Sequence, residues 1–254
     1  MREALLGGGV AAAAYWRGTL TLDGALAAAT VGAVVFARGG RRGAAALLAF
    51  FVTSSALSRI REQRRSAGLA QAKGGRRDAA QVLANGGAAT LSLLLGHDSG
   101  FVSGLAAAAA DTWATEVGLL VGQRPRLITS WQFVEPGRSG GVTLAGLLAS
   151  AGGAATVGLT WWLAGGSSRA LPLAMLSGVF GSALDSVLGA TLQALSQCPG
   201  CGALSERSQC AACGRRTQRV RGLAAVTNDS VNAVATVAAA ALGEWLSRRR
   251  RCPT

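Results

Sequence analysis

Apolar stretches of the length that crosses a bilayer, roughly 17 to 25 residues, recur along this chain. They cover residues 19–36, 43–60, 79–96, 100–122, 140–164 and 170–196, with two shorter ones at 4–16 and 231–246. A soluble bundle of Ala-rich helices is the alternative, but such helices carry charged faces that these stretches lack. The pattern therefore predicts an all-α fold, a polytopic integral membrane helical bundle of about six to eight segments. The stretches are built largely from Ala and Gly, and the chain holds 36 glycines. Small residues let helix backbones approach closely in lipid, so these helices are expected to pack mainly against one another. The opening MREALLGGGVAAAAYW has the charge and short apolar run of a secretory signal. More spans follow it, so it reads as an uncleaved first segment.

The net charge is +13, which in a soluble protein would suggest nucleic acid. Here the basic residues lie between spans: Arg59, Arg61, Arg64, Arg65, Lys73, Arg76 and Arg77 in one connection, and Arg207, Arg215, Arg216, Arg219 and Arg221 in another. The positive-inside rule puts both on the cytoplasmic side. The expected partners are then membrane lipids and not nucleic acid, and the expected place is the inner cell membrane. Strict alternation leaves Arg248 to Arg251 outside, against the same rule, so either 231–246 dips in and returns or the span count is off by one. One membrane domain over 1–254 is expected, interrupted by polar connections at 59–78, 123–139 and 197–230.

The last connection contains CPGCGALSERSQCAACG. Cys198 with Cys201 and Cys210 with Cys213 form two C-x-x-C pairs, each followed by Gly, within a loop at 197–222. A C-x-x-C turn aims two thiolates at one point, and two such turns complete a tetrahedral sulfur site for structural Zn2+. Disulfides or free thiols are the alternatives, and a reducing cytoplasmic loop argues against the former. A small zinc-ribbon-like loop is expected. Cys252 is read as a plain thiol, and His97, the single histidine, as a loop residue without a chemical role.

Only 12 residues are acidic, yet Asp111, Glu116 and Asp185 fall inside apolar stretches. At mid-bilayer depth each carboxylate costs about 2.5 to 3.5 kcal/mol on insertion scales, so such residues usually face a cavity or each other and mark a site; helix-to-helix glue is the bland alternative. Ser182, Asp185, Gly189 and Gln193 recur at helical intervals and form a stripe. Gln81 and Asn85, Thr112 and Glu116, and Asn228 and Asn232 are likewise four apart, so several helices offer acceptor-rich faces. Converging carboxylates and amides suit a hard cation such as Mg2+, which binds through one or two carboxylates plus substrate phosphates.

Two glycine-bearing connections supply candidate phosphate contacts. PGRSGGVTLAG sets Gly140 and Gly141 just before an apparent helix start, with Thr143 in the first turn, where unpaired backbone amides favour anions. KGGRRD carries Lys73, the only lysine of the chain and a compact phosphate-binding charge. Arg126, in the connection before PGRSGG, is a further candidate for the same role.

LTLDGALAAATVGAVVF, FFVTSSALSR, KGGRRDAAQVLANGG, DTWATEVG, PRLITSW, GGVTLAG, GSALDSVLGATLQ and RG…NDSVNAVAT resemble, in this order, the integral membrane family that includes transmembrane protein 19 and the plastid phytyl-phosphate kinase. The resemblance runs through nearly the whole chain. It implies transfer of a phosphoryl group from a nucleoside triphosphate, typically CTP, to a prenyl monophosphate. A distant similarity to phytol and dolichol kinases, whose D-x-x-A-x-x-x-G pattern matches Asp111, Ala114 and Gly118, implies a metal and nucleotide role for Asp111 and Glu116. It also implies a phosphate role for Gly140, Gly141 and Thr143. The cysteine loop departs from the plant pattern. Intramembrane carboxylates serve ion pathways equally well, so a transporter or channel is the competing class, with a docking module on an inert anchor as a third.

Overall fold

The computed structural model describes residues 2–65, 76–206, 208–210 and 212–249. Lys73, Cys252 and the tail arginines beyond Arg249 lie outside the described residues. The described chain is mostly helical, with helices α1 (Arg2–Trp16), α2 (Leu22–Arg65), α3 (Ala79–Leu94), α4 (Asp98–Val121), α5 (Leu144–Leu163), α6 (Ala170–Thr191) and α7 (Asn228–Arg249). Three of them, α2, α5 and α6, are long and apolar enough to cross a membrane.

The two apolar stretches at 19–36 and 43–60 share the continuous α2, which reverses at Gly40 (φ 55°, ψ −146°). Only glycine adopts that conformation without strain. The reversal brings residue 43 against the carbonyl of Val35, and returns Arg59 to the chain start, where its guanidinium donates to the Arg17 carbonyl at 3.2 Å. α2 is thus a hairpin of two antiparallel segments, 22–39 and 41–65, so the bundle has eight helical segments among the described residues.

Alternation of the helices gathers residues 17–21, 55–65, 76–78, 122–143 and 192–227 at one end of the bundle, called here the ribbon end. Arg77 ties this end together: its N–H donates to the Thr19 carbonyl at 2.9 Å and its guanidinium to the Ser55 hydroxyl at 3.1 Å. α3 starts there with a capping box, Asp78 accepting from the Gln81 N–H while the Gln81 side chain accepts from the Asp78 N–H. α7 leaves the ribbon end and crosses the whole bundle; Glu244 near its far end lies 3.4 Å from His97 Nδ1 in the α3–α4 turn. α7 is thus one continuous helix with no dip and return, and with eight segments among the described residues its last arginines, Arg248 and Arg249, lie at the end opposite the ribbon. His97 is in a turn, but it braces α7.

α4 is the axis of the bundle. It packs against α2, α3, α5, α6 and α7, and every residue from Gly100 to Ala110 is buried. Such enclosure requires small residues on both sides. A Cβ on Gly178 of α6 would stand 2.7 Å from Ala154 Cβ and 3.0 Å from the Ala106 carbonyl oxygen, and one on Gly153 of α5 would stand 2.7 Å from the Ala109 carbonyl oxygen. Bulk enters the core mainly through Phe101 and Trp161, whose rings lie 5.5 Å apart.

Two pieces of sheet interrupt the helices at the ribbon end. β1 (Arg126–Leu127) pairs antiparallel with β2 (Gly141–Val142), a small element in a connection the sequence reads as merely polar. β3 (Leu195–Gln197), β4 (Leu204–Ser205) and β5 (Gln218–Arg221) form an antiparallel sheet in the order β4-β3-β5, which is the frame of the cysteine loop.

Candidate functional site

The cysteines come together as the spacing predicts. In each knuckle the glycine after the second cysteine takes a left-handed conformation and its N–H donates to the first cysteine's carbonyl at 2.9 Å, Gly202 to Cys198 and Gly214 to Cys210. This aims the four sulfurs at one point: Cys198 and Cys213 Sγ are 3.3 Å apart, Cys201 and Cys210 3.5 Å, Cys201 and Cys213 3.9 Å. A tetrahedral site with Zn–S bonds of about 2.3 Å has sulfurs about 3.8 Å apart, while a disulfide needs about 2.05 Å. All four sulfurs lie within 4.8 Å of one another, so the cluster can hold a metal such as zinc. The backbone N–H groups of Cys201 and then Gly200 bring the Cys198 thiol down to about 6, toward the thiolate form that a metal binds. Purified protein is expected to carry about one zinc per chain, and Cys201→Ser to lose most of it by elemental analysis. A metal-free wild type would contradict this.

The intramembrane carboxylates separate into two groups. Glu116, buried on α4, pairs with Arg61 and accepts from the Ser58 hydroxyl at 2.8 Å, both from the second half of α2. Its charge is answered by protein groups. Asp111 lies more than a turn deeper on the same helix and belongs to a different cluster. α4 and α6 run in the same direction, and a Cβ on Gly181 would meet Ala107 Cβ at 2.5 Å. One helical turn further along both helices come Asp111 and Asp185, whose carboxylates are close enough to feel each other's charge. Asp185 Oδ2 is buried and has no hydrogen-bond partner among the described residues.

Above this pair, toward the ribbon end, the α6 C-terminus meets the two sheet elements. Gly140 (φ 82°) passes so close to α6 that a Cβ would stand 2.5 Å from Ala190 Cβ, and Gly189 faces the Gly140 backbone. These two glycines are therefore a close crossing of loop over helix. Thr143 is the N-cap of α5 and not a first-turn residue; its hydroxyl accepts from the Gly146 N–H at 3.0 Å. The Gln123 side chain accepts from the Ala145 N–H at 3.3 Å. The α5 start thus has fewer free donors than its sequence suggests. Gln193 is 2% exposed, and its Nε2 has no hydrogen-bond partner among the described residues.

Two arginines that sequence reasoning did not single out converge here. Arg221, the last residue of β5, donates to the carbonyls of Ala190 and, at 3.0 Å, Gly189, capping α6. Burial, and next the Arg138 charge, push its guanidinium pKa down, while Glu206 opposes them. Arg138 Nε and Arg221 Nε are both buried without a partner among the described residues. Glu206 accepts from the Ser139 hydroxyl. The only sequence hint was the Arg221-Gly222 pair: Gly222 (φ 77°) passes where a Cβ would stand 2.1 Å from the Gln193 carbonyl oxygen.

Several of the remaining candidates have local partners. Arg126 donates to the Trp131 carbonyl at 2.9 Å and stacks on Phe133, 3.9 Å to the ring centre. Asn85 donates to the Gln81 carbonyl at 2.9 Å, and Gln81 serves the α3 cap. Asn228 begins α7, exposed, with Asn232 half-buried a turn later. Gly141 is in β2, where its N–H donates to the Arg138 carbonyl at 3.0 Å.

Comparison with known proteins places the chain among membrane proteins. The chain is 36% identical over 223 residues to Protein PGR of Arabidopsis thaliana, covering 74% of this chain and 77% of that protein. It is 33% identical over 158 residues to an uncharacterized membrane protein of Methanocaldococcus jannaschii, covering 58% of this chain and 63% of that one. An uncharacterized membrane protein of Synechocystis is 32% identical over 175 residues, 64% of this chain and 68% of its own. None of these names states an activity. No solved structure matches. The family described as integral membrane protein DUF92 matches residues 5–240, nearly the whole bundle with its cysteine loop, and the chain belongs to that family of integral membrane proteins.

Proposed function

We propose that this protein is a membrane-embedded prenyl-phosphate kinase, which moves a phosphoryl group from CTP or another nucleoside triphosphate to a prenyl monophosphate. The observation that carries the reading is the pairing of Asp111 and Asp185, from two helices, with a buried and unpartnered carboxylate oxygen. Two like charges side by side in an apolar bundle are unfavourable unless a cation or proton offsets them. Hard oxygen donors with a free coordination position fit Mg2+, which when bound neutralises phosphate charge during phosphoryl transfer. The chain's own residues do the positioning. The lipid phosphate oxygen attacks the terminal phosphorus of the nucleotide, the bond to the bridging oxygen breaks, and prenyl diphosphate and nucleoside diphosphate leave. Asp111 and Asp185 would hold the cation that neutralises the reacting phosphates, and Arg221, with Arg138 near it, lies nearer the ribbon end at the α6 C-terminus.

The location suits two substrates of opposite character. Asp185 is about two helical turns from the end of α6, roughly 9 Å, so a nucleotide arrives from water while a prenyl tail stays in the bilayer. In this reading the protein sits in the inner cell membrane with the ribbon end cytoplasmic, where the arginine-rich connections belong. Purified protein given CTP, Mg2+ and phytyl or geranylgeranyl phosphate is expected to form the prenyl diphosphate, measured by mass spectrometry. No product across a panel of prenyl phosphates and nucleotides would sink the kinase and leave the ion-pathway class, which a liposome flux assay then addresses.

A further inference from the structure

We propose that Arg138 and Arg221, with the side-chain amide of Gln193, form a binding site for a phosphate or pyrophosphate group, and that the cysteine ribbon holds Arg221 in that site. The proposal deepens the phosphoryl-transfer reading and rests on it for the role of the bound anion.

The geometry starts at the α6 C-terminus. Arg221 reaches it from the ribbon through the Gly189 and Ala190 carbonyls. Arg138 reaches it from the opposite side, on the loop whose Ser139 and Gly140 lie against Gly189 and Ala190. Two guanidinium groups converging in a part-buried space repel each other, and each keeps a buried Nε–H without an acceptor. Gln193, almost fully enclosed, adds an unpartnered amide nitrogen. Donors from three elements thus converge without enough acceptors among the described residues. Glu206, the carboxylate whose charge reaches Arg221, is exposed and already accepts from Ser139. Buried donors without acceptors cost about 1 to 3 kcal/mol each, so their persistence points to a ligand that supplies acceptors. A tetrahedral oxyanion does so, and guanidinium forks match its geometry.

The ribbon enters because its last strand carries Arg221. β5 pairs with β3, β3 runs directly into Cys198, and the chain beyond β5 is fixed to α6 by the Leu223 N–H donating to the Leu192 carbonyl at 2.9 Å. A metal in the four-cysteine cluster locks β3 to the β4–β5 segment. Losing it frees the strand that aims Arg221.

The test uses full-length protein in lipid nanodiscs, with calorimetric titration of inorganic pyrophosphate in the presence of Mg2+. Wild type is expected to bind it. Arg138→Gln and Arg221→Gln should each weaken binding by about tenfold or more, while Arg169→Gln, at the far end of α6, should not. Cys201→Ser, with its zinc content measured, is expected to weaken binding as much as Arg221→Gln. The double variant Cys201→Ser/Arg221→Gln should lose no more than either alone, because both remove one contact. Titration in nanodiscs loaded with geranylgeranyl phosphate separates the sources. Competition that depends on the arginines assigns the site to the lipid phosphate, and its absence assigns it to the soluble phosphate ligand. Equal binding in wild type and both arginine variants, or none in wild type, overturns the site, and additive losses overturn the ribbon's part. Turnover of prenyl phosphate with unchanged pyrophosphate binding in the variants would leave the kinase standing and this site refuted. Arginine-dependent binding without turnover would do the reverse.

Discussion

Asp111→Asn and Asp185→Asn are each expected to lower prenyl-phosphate turnover by about a thousandfold, about 4 kcal/mol of transition-state stabilisation, without disturbing assembly of the bundle. The amide keeps the shape of the carboxylate and removes the charge. If the pair holds a cation, each variant loses an anionic ligand at the point where phosphate charge must be neutralised. The same change relieves the repulsion between Asp111 and Asp185, so in chelator the variants should melt a few degrees above wild type. In millimolar Mg2+ wild type should gain stability from binding and the variants little. The reversed ranking of melting temperatures with and without Mg2+ is a signature that helix glue would not produce. Normal turnover in both variants would reduce the pair to a packing feature.

Gly178→Leu is expected to lower thermal stability in detergent by about 10 °C or to prevent assembly. Even a methyl group at this position would overlap Ala154 and the Ala106 carbonyl, and α4, closed in by five helices, has no room to yield. Overpacking a tight core typically costs about 1 to 3 kcal/mol per site, and here the obstacle includes backbone. Each kcal/mol moves a chain of this size by about 2 to 4 °C. Gly87→Leu on α3 is the matched control, since a Cβ there meets nothing within 4 Å. Size-exclusion profiles after a temperature ramp read both. Equal melting of the two variants would show that the α4–α5–α6 contact is softer than its distances.

The parts of the fold legible in the sequence are those fixed by local pattern. Apolar length announced the helices, and the glycine pair at 39–40 separates two stretches that the chain joins in one reversing helix. Cysteine spacing announced the ribbon because a C-x-x-C turn needs no distant partner to form. Asp111 and Asp185 could be singled out by their cost in an apolar stretch. Their meeting depends on α4 and α6 running side by side in the same direction, which no spacing within either helix encodes. Glu116 illustrates the limit: its cost marked it equally, yet Arg61, 55 residues away, answers it. Arg138 and Arg221 were hidden for the opposite reason. In a chain where 24 of the 25 basic residues are arginine, a loop arginine carries no signal until the fold shows which lack acceptors.

The enclosure of α4 also bears on how the protein is made. α4 is not among the three helices long and apolar enough to cross a membrane unaided, and it carries Asp111 and Glu116 inward, so its polar face has no stable exposure to lipid. Its neighbours on one side, the α2 hairpin and α3, are synthesised before it, while α5, α6 and α7 come after. If the helices insert in chain order, the α2 hairpin, with Arg61 and Ser58 against Glu116, is the surface that α4 meets before α6 covers Asp111. Insertion of the helices in chain order would make the bundle a templated assembly, with an early hairpin against the central strut and the later helices closing around it.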